Sequence, residues 1–158
     1  MTDLLRLIFL TLLPFLELRA SIPYGIFATD FSLLTIFLVC VITNILLAPV
    51  IYLFLDKLIH IFLKIKVLNR IYQKTITKVQ HKVKKYVDRY GILGLAIFIG
   101  IPLPGSGVYS GALGAYILGF KFRDFFKAAV LGVVIAGIIV MLISVMGNET
   151  FSFLIKRV

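Results

Sequence analysis

The stretch Gly100-Ile-Pro-Leu-Pro-Gly-Ser-Gly107 interrupts an apolar segment, and the predicted fold follows from this interruption. Pro102 and Pro104 each lack a backbone N–H, and each disfavours helical backbone in the residue before it. Gly105 and Gly107 allow backbone angles that other residues avoid. An undisturbed helix therefore cannot run through this stretch.

The flanks of this stretch are apolar, which makes the interruption informative. Residues 91–99 and 108–120 carry no formal charge. In a lipid bilayer, irregular backbone is tolerated only where it is buried in protein or lines a cavity. The pattern therefore predicts a re-entrant hairpin, or a discontinuous helix, over residues 91–120. An ordinary span with a kink is the alternative.

The composition of the chain is typical of a membrane protein. Of its 158 residues, 61% are hydrophobic, and the mean hydropathy is +1.07. A net charge of +10 would suggest nucleic acid in a soluble protein, but the cations here lie between apolar segments, as in cytoplasmic loops. We expect no nucleic-acid partner. The one cysteine, Cys40, lies in an apolar segment, so we expect no disulfide, metal or cofactor site.

The N-terminal segment repeats the interrupted pattern. Residues 4–28 are largely apolar, and prolines stand on either side of Glu17 and Arg19. This predicts a half-helix over 4–15, a turn at the two charges and a short return helix. The half-helix would rise about 18 Å, past the middle of a hydrocarbon core roughly 30 Å thick. Both charges are therefore predicted at membrane depth.

Two uninterrupted segments are long enough to cross a bilayer. These are residues 31–55 and 128–146, and neither carries a formal charge. Between the first span and the second hairpin lies 56–90, with ten lysines and arginines against two aspartates and with apolar residues every three or four positions. This predicts a basic amphipathic helix on anionic lipid or on a partner helix, and a solvated loop is the alternative.

The cations also orient the segments. The linker 56–90 and the basic link 121–127 are both predicted to be cytoplasmic. The chain then divides into a first half, 1–55, the linker, and a second half, 91–158, that ends in a short tail. Each half is a broken hairpin followed by a span, in opposite orientations. The predicted fold is therefore an all-α integral membrane protein with an inverted repeat, as in secondary transporters.

The two charges and the two breaks define a candidate site. Charges at membrane depth are costly and are functional candidates by default. Glu17 could carry a proton and Arg19 could bind an anion through its planar fork, whereas a mutual ion pair is the structural alternative. N–H groups of residues 105–108 could bind a phosphate at a helix start, which Ser106 is expected to cap. The candidate site residues are Glu17, Arg19, Pro23, Gly25, Pro102, Pro104, Gly105, Ser106 and Gly107.

Small and polar residues within the apolar segments predict helix contacts. Asn44 is expected to hydrogen-bond to a neighbouring helix rather than to substrate. Small residues recur at every fourth position in two ridges, which allows close packing and favours a homo-oligomer, a dimer. The ridges are Gly107, Gly111, Ala115 and Gly119, and Ala128, Gly132 and Ala136.

Three motifs carry a resemblance to a known family. They are Glu17-Leu-Arg-Ala-Ser-Ile-Pro-Tyr-Gly25, Ile101-Pro-Leu-Pro-Gly-Ser-Gly107 and Gly111-Ala-Leu-Gly-Ala-Tyr116. With them, the chain resembles the small multi-drug export protein family and, more distantly, the DedA/VTT membrane proteins. The resemblance implies two re-entrant hairpins, two spans and a multi-pass position in a prokaryotic cell membrane. Relatives in the wider superfamily are associated with moving phospholipid or polyprenyl-phosphate carriers.

The predicted function is transport or lipid translocation rather than catalysis. Broken hairpins and buried charges serve translocation directly, and the expected cargo is an anionic or phosphate-bearing amphiphile moved with proton coupling. The expected partners are membrane lipids and a second copy of the chain. A membrane-embedded enzyme acting on a phospholipid, a drug exporter and a structural adaptor remain alternatives, although the sequence offers no nucleophile–base pair.

Overall fold

The described part of the chain folds into helices. The computed structural model describes residues 2–14, 16–64, 91–103 and 105–155, and these contain no strand. The helices are α1 (Thr2–Leu12), α2 (Glu17–Ala28), α3 (Leu33–Lys64), α4 (Ile92–Gly100), α5 (Val108–Ile117) and α6 (Phe122–Ile155). The predicted all-α class is thus confirmed for the described residues.

Two of the helices are long and apolar enough to cross a membrane. The candidate spans are Leu33–Leu55 in α3 and Phe122–Gly147 in α6. The first covers the predicted span 31–55 except for its first two residues, and the second contains the predicted span 128–146. Together with the apolar composition, they indicate a membrane protein.

The predicted interruption after Gly100 is present. The α4 helix ends there and α5 begins at Val108, with a turn between them in which the Ser106 N–H donates to the Leu103 carbonyl. Gly105 and Gly107 have φ angles of +81° and +106°, which residues with a Cβ rarely adopt. Whether this broken segment enters and leaves a membrane on one face stays a prediction.

The first interruption differs in detail from the prediction. The α2 helix begins at Glu17, so Glu17 and Arg19 belong to its first turn rather than to the connection that precedes it. Pro14 cannot donate a backbone hydrogen bond and its ring restricts Leu13, which explains why α1 stops at Leu12. Pro23, by contrast, lies inside α2.

Both long helices extend beyond the predicted spans. The α3 helix continues to Lys64, so the start of the predicted linker is the end of the span helix. The predicted link 121–127 is likewise not a separate element, because α6 begins at Phe122 and no proline interrupts it before Ile155. The helix predicted over the rest of 56–90 lies outside the described residues.

Contacts between helices follow the same pattern in the two halves. The first helix of each half packs against the long helix of its own half, α1 on α3 and α4 on α6. The second helix of each half packs against the long helix of the other half, α2 on α6 and α5 on α3. The long helices α3 and α6 also pack together. If the helices of one half are exchanged for the corresponding helices of the other, the same pairs of helices are in contact. A twofold repeat has this property.

The small-residue ridges are used inside the chain. A Cβ at Gly132 would lie 2.7 Å from the Ala96 carbonyl oxygen of α4, and one at Gly111 would lie 2.5 Å from the Ile99 side chain. Ala115, Ala128 and Ala136 are buried. These glycines therefore bring α4 into close contact with α5 and α6. The homo-oligomer predicted from these ridges stays a prediction.

We predict that Gly132→Ala destabilises the fold by about 1–3 kcal/mol, because its Cβ would press on backbone that cannot rotate away. Gly147→Ala is the control in the same helix, since no atom lies within 4 Å of the Cβ position. This control should be neutral or gain up to about 1 kcal/mol of helix stability. Thermal unfolding in mild detergent measures both, and equal stability of the two variants would contradict the packing described.

Candidate functional site

The carboxylate of Glu17 links the two interrupted segments. Its Oε2 accepts a hydrogen bond from the Val108 N–H at 3.2 Å, and its Oε1 accepts one from the Tyr109 N–H at 3.4 Å. These are the first N–H groups of α5, which have no partner within their own helix, and negative charge is favoured there. Glu17 is therefore the cap of α5.

This arrangement corrects two expectations about the helix start. The N-cap position is Gly107, and no side chain at that position caps the helix. Ser106 does not cap it either, because its hydroxyl lies 2.8 Å from the Leu103 carbonyl oxygen. Of the N–H groups at residues 105–108 that were predicted to bind a phosphate, that of Val108 bonds to the Glu17 carboxylate and that of Ser106 to the Leu103 carbonyl. The Tyr109 N–H, just beyond that range, also bonds to the carboxylate.

Asn44 is the third group on this carboxylate. Its Nδ2 donates to Glu17 Oε2 at 3.4 Å, so α3 joins α2 and α5 at the same point. The predicted helix-to-helix hydrogen bond of Asn44 is thereby confirmed. Asn44 is fully buried and Glu17 is only 3% exposed. The Oδ1 atom of Asn44 has no hydrogen-bond partner among the described residues.

Glycine at position 107 makes the approach of the carboxylate possible. A Cβ there would lie 2.6 Å from Glu17 Oε2, well inside van der Waals contact. Glu17 itself has a φ of +45°, in the left-handed region. That conformation costs a residue with a Cβ about 1–2 kcal/mol. Backbone strain of this kind persists only where the surrounding contacts impose it.

Arg19 bonds to the connection between α4 and α5 and not to the Glu17 carboxylate. Its Nη2 donates to the Ser106 hydroxyl at 2.7 Å and lies 3.4 Å from the Ile101 carbonyl oxygen. Arg6–Asp3 is the one ion pair within the described residues, so the Glu17–Arg19 pair considered from the sequence is not formed. Nη1 of Arg19 is buried and has no partner in this part of the chain. Arg19 therefore holds the connection that leads into α5, the helix whose start Glu17 caps.

Hydroxyl groups link α1 to α2 next to Glu17. The hydroxyl of Thr11 donates to the Ser21 hydroxyl at 2.7 Å, and the Ser21 hydroxyl donates to the Glu17 carbonyl at 3.2 Å. Both side chains are fully buried. The Tyr109 hydroxyl of α5 also bonds to α1, because it donates to the carbonyl of Leu12, the last residue of that helix.

Some of the predicted site residues serve the backbone instead. A Cβ at Gly25 would lie 2.7 Å from Ile36, so this glycine serves the packing of α2 on α3. Gly105 has a positive φ and open space around it, as a turn glycine does. Pro102 lies in the connection, Pro23 lies within α2, and Pro104 lies outside the described residues.

The structure brings together four of the predicted residues and adds two. Glu17, Arg19, Ser106 and Gly107 meet at the site, where Asn44 and Tyr109 join them. Asn44 carries a usable signal, since it is the one amide in the first span. Tyr109 carries none, because its contribution is mainly a backbone N–H.

We predict that Gly107→Ala is more destabilising than Gly105→Ala. Each change forces a Cβ into backbone that favours glycine, because φ is +81° at Gly105 and +106° at Gly107, and this costs about 1–3 kcal/mol. Only the change at 107 also displaces the carboxylate and leaves buried N–H groups without an acceptor, which adds about 1–3 kcal/mol. Thermal unfolding of the two variants is the measurement. Equal losses would show that Glu17 is not held against this loop.

Comparison with known proteins places the site within a family. Residues 17–139 match the family described as "Putative small multi-drug export protein", and this match includes all six residues of the site. A search of curated proteins and a search of solved structures each found no match. Because the matched region covers most of the sequence, the chain belongs to the small multi-drug export protein family.

Proposed function

We propose that this protein is a membrane transporter that moves an anionic amphiphile, such as a phosphate-bearing lipid, through the site between its two interruptions. The observation that carries the proposal is the buried carboxylate of Glu17, bonded to the first N–H groups of α5. Membership of an export-protein family supports transport over catalysis.

The position of the site favours translocation. Glu17 and Arg19 come from the first half, and both bind backbone or side chains of the second half. Secondary transporters built from inverted repeats bind substrate at the interface between the repeats, where broken helices meet. The matching contact pattern of the two halves supports such a repeat. Movement of one half against the other would then open the site to alternate faces.

The chemistry of the site favours an anion as cargo. Arg19 and the start of α5 both attract negative charge. Glu17 is the group that can release or take up a proton as the cargo enters. An exporter of small anionic drugs would use the same residues, and the identity of the transported molecule separates these two versions. An enzyme on phospholipid is less well supported, because the Ser106 hydroxyl is bonded to Arg19 and to carbonyls rather than to a base.

We predict that Arg19→Lys folds but loses at least about tenfold in transport, because lysine keeps the charge without the planar fork. A hydrogen bond to a charged group contributes about 1.5–3 kcal/mol, which corresponds to that factor or more. Arg6→Lys is the matched control, since Arg6 is exposed on α1 and pairs with Asp3. Flux of a fluorescent phospholipid and of a small organic anion in proteoliposomes measures both variants.

The same assay tests whether the two charges are merely structural. An apolar replacement of both Glu17 and Arg19 should abolish flux even where the protein still folds. Recovery of wild-type flux in this double variant would refute the site. Equal flux in Arg19→Lys and Arg6→Lys would refute the proposed role of the Arg19 guanidinium in anion binding.

We also predict that Lys57 and Lys121 face the cytoplasm together. The Tyr52 hydroxyl donates to the Phe120 carbonyl at 2.6 Å, which ties the later part of α3 to the start of α6. Both lysines are exposed near this contact. Lys57→Cys and Lys121→Cys should therefore resist an impermeant thiol reagent in intact cells and react after lysis. Reaction of only one of them in intact cells would contradict the predicted topology.

A further inference from the structure

We propose that the start of α5 is an oxyanion site that Glu17 occupies with its own carboxylate, and that protonation of Glu17 transfers this place to the phosphate group of the cargo. The inference rests on the proposed function and extends it, because it makes proton uptake and anion binding one event. It also assigns the ligand class as a singly charged oxyanion such as a phosphodiester.

The carboxylate stands where a bound anion would stand. Its two oxygens accept hydrogen bonds from the N–H groups of Val108 and Tyr109, at the positive end of α5, a helix of ten residues. Gly107 offers no side chain in front of these groups, so a carboxylate can come within hydrogen-bonding distance of them. A phosphate oxygen needs the same two donors and the same open approach.

Asn44 supplies an independent observation. This side chain is fully buried and is directed at the site, since its Nδ2 bonds to Glu17 Oε2. Its Oδ1 has no partner among the described residues, and a buried acceptor without a donor is costly. A protonated Glu17 carries an O–H that can donate to this oxygen. Asn44 can therefore donate from its nitrogen to the ionised form of Glu17 and accept with its oxygen from the protonated form.

Arg19 has a buried donor without an acceptor, the converse of the Asn44 oxygen. Its Nη2 is bonded to Ser106, whereas its buried Nη1 has no acceptor within the residues that the structure describes. An anion beside the start of α5 would lie next to the loop that Arg19 holds. A proton and an anion that enter together therefore provide the donor for Asn44 and the acceptor for Arg19.

Charge balance explains why the two must enter together. The titratable groups that face Glu17 are Arg19 on its own helix and Tyr109 on α5, and α3 contributes the neutral Asn44. The charged residues of α1 pair with each other near the start of that helix. The charged residues of α6 with described side chains are Arg123, Asp124 and Lys127, all in its first two turns. Ionised Glu17 with Arg19 is neutral overall, and so is protonated Glu17 with Arg19 and a monoanion.

Binding measurements in mild detergent test this coupling directly. The probes are dimethyl phosphate and short-chain phosphatidylglycerol, both phosphodiester monoanions that do not titrate near neutral pH. In the wild-type protein, affinity should rise about tenfold for each unit of pH lowered while Glu17 is ionised, because one proton binds with each anion. Calorimetry in buffers of different ionisation enthalpy should report about one proton taken up per probe.

Variants assign the proton to its residue. Glu17→Gln should bind the probes with an affinity that no longer changes with pH and with no proton uptake. Asp3→Asn, which removes an exposed carboxylate of α1, should keep the wild-type slope. A wild-type affinity that is flat with pH, or a slope that survives in Glu17→Gln, overturns the proposal. If Glu17→Gln does not fold, the wild-type slope and the proton count decide.

The two probes separate the sources of the phosphate. Binding of both assigns recognition to the phosphodiester itself, binding of phosphatidylglycerol alone assigns it to a lipid headgroup, and binding of neither overturns the inference. Flux in proteoliposomes is measured separately. Transport without proton-linked binding would refute the coupling and leave the transporter in place, whereas proton-linked binding without flux would refute the transporter.

Discussion

The hydrogen bonds between the Glu17 carboxylate and the start of α5 are the interaction on which the arrangement of the two halves depends. A helix that begins among apolar groups exposes N–H groups that water cannot reach, and each must find an acceptor inside the protein. Val108 and Tyr109 find theirs in a side chain from the other half of the chain. Because Asn44 bonds to the same carboxylate, three helices have fixed positions relative to one group.

The two halves are alike in packing but unlike in chemistry. Exchange of the halves preserves which helices pack together. The first half nevertheless provides the charged side chains, and the second provides backbone groups and the hydroxyls of Ser106 and Tyr109. Each half therefore leaves polar groups that only the other half satisfies. An interface of this kind can come apart only if something else takes over those hydrogen bonds, which is the role that a proton and an anionic cargo would fill.

The sequence predicts those features that depend on local chemistry. Prolines and glycines at residues 101–107 located the second interruption, and hydropathy located both spans, because backbone restriction and apolar length act within a segment. The cap of α5 was wrongly predicted for the opposite reason. Ser106 is the nearest polar side chain in sequence, but Glu17, 91 residues before Val108, supplies the acceptor. Spacing along the chain does not reveal a contact made by folding the halves together.

The boundaries of the long helices show a related limit. Charges at Lys57 and Lys127 mark where apolar composition ends, and the predicted spans stop at residue 55 and begin at residue 128 beside them. The helices continue, because a charged residue at a helix end can lie in water or at a headgroup without any break in backbone hydrogen bonding. Charge therefore indicates where a membrane boundary falls and leaves the helix boundary undetermined.

The energetics of the cap argue that Glu17 is retained for more than stability. A serine or threonine at the N-cap position would stabilise α5 by about 0.5–2 kcal/mol with no buried charge. At the membrane depth predicted for Glu17, a carboxylate would instead cost about 2.5–3.5 kcal/mol on insertion scales, and the left-handed backbone of this residue adds about 1–2 kcal/mol. Folding alone would favour the local neutral cap. In the proposed transport cycle, the costlier arrangement would supply a carboxylate that releases the helix start when it takes up a proton.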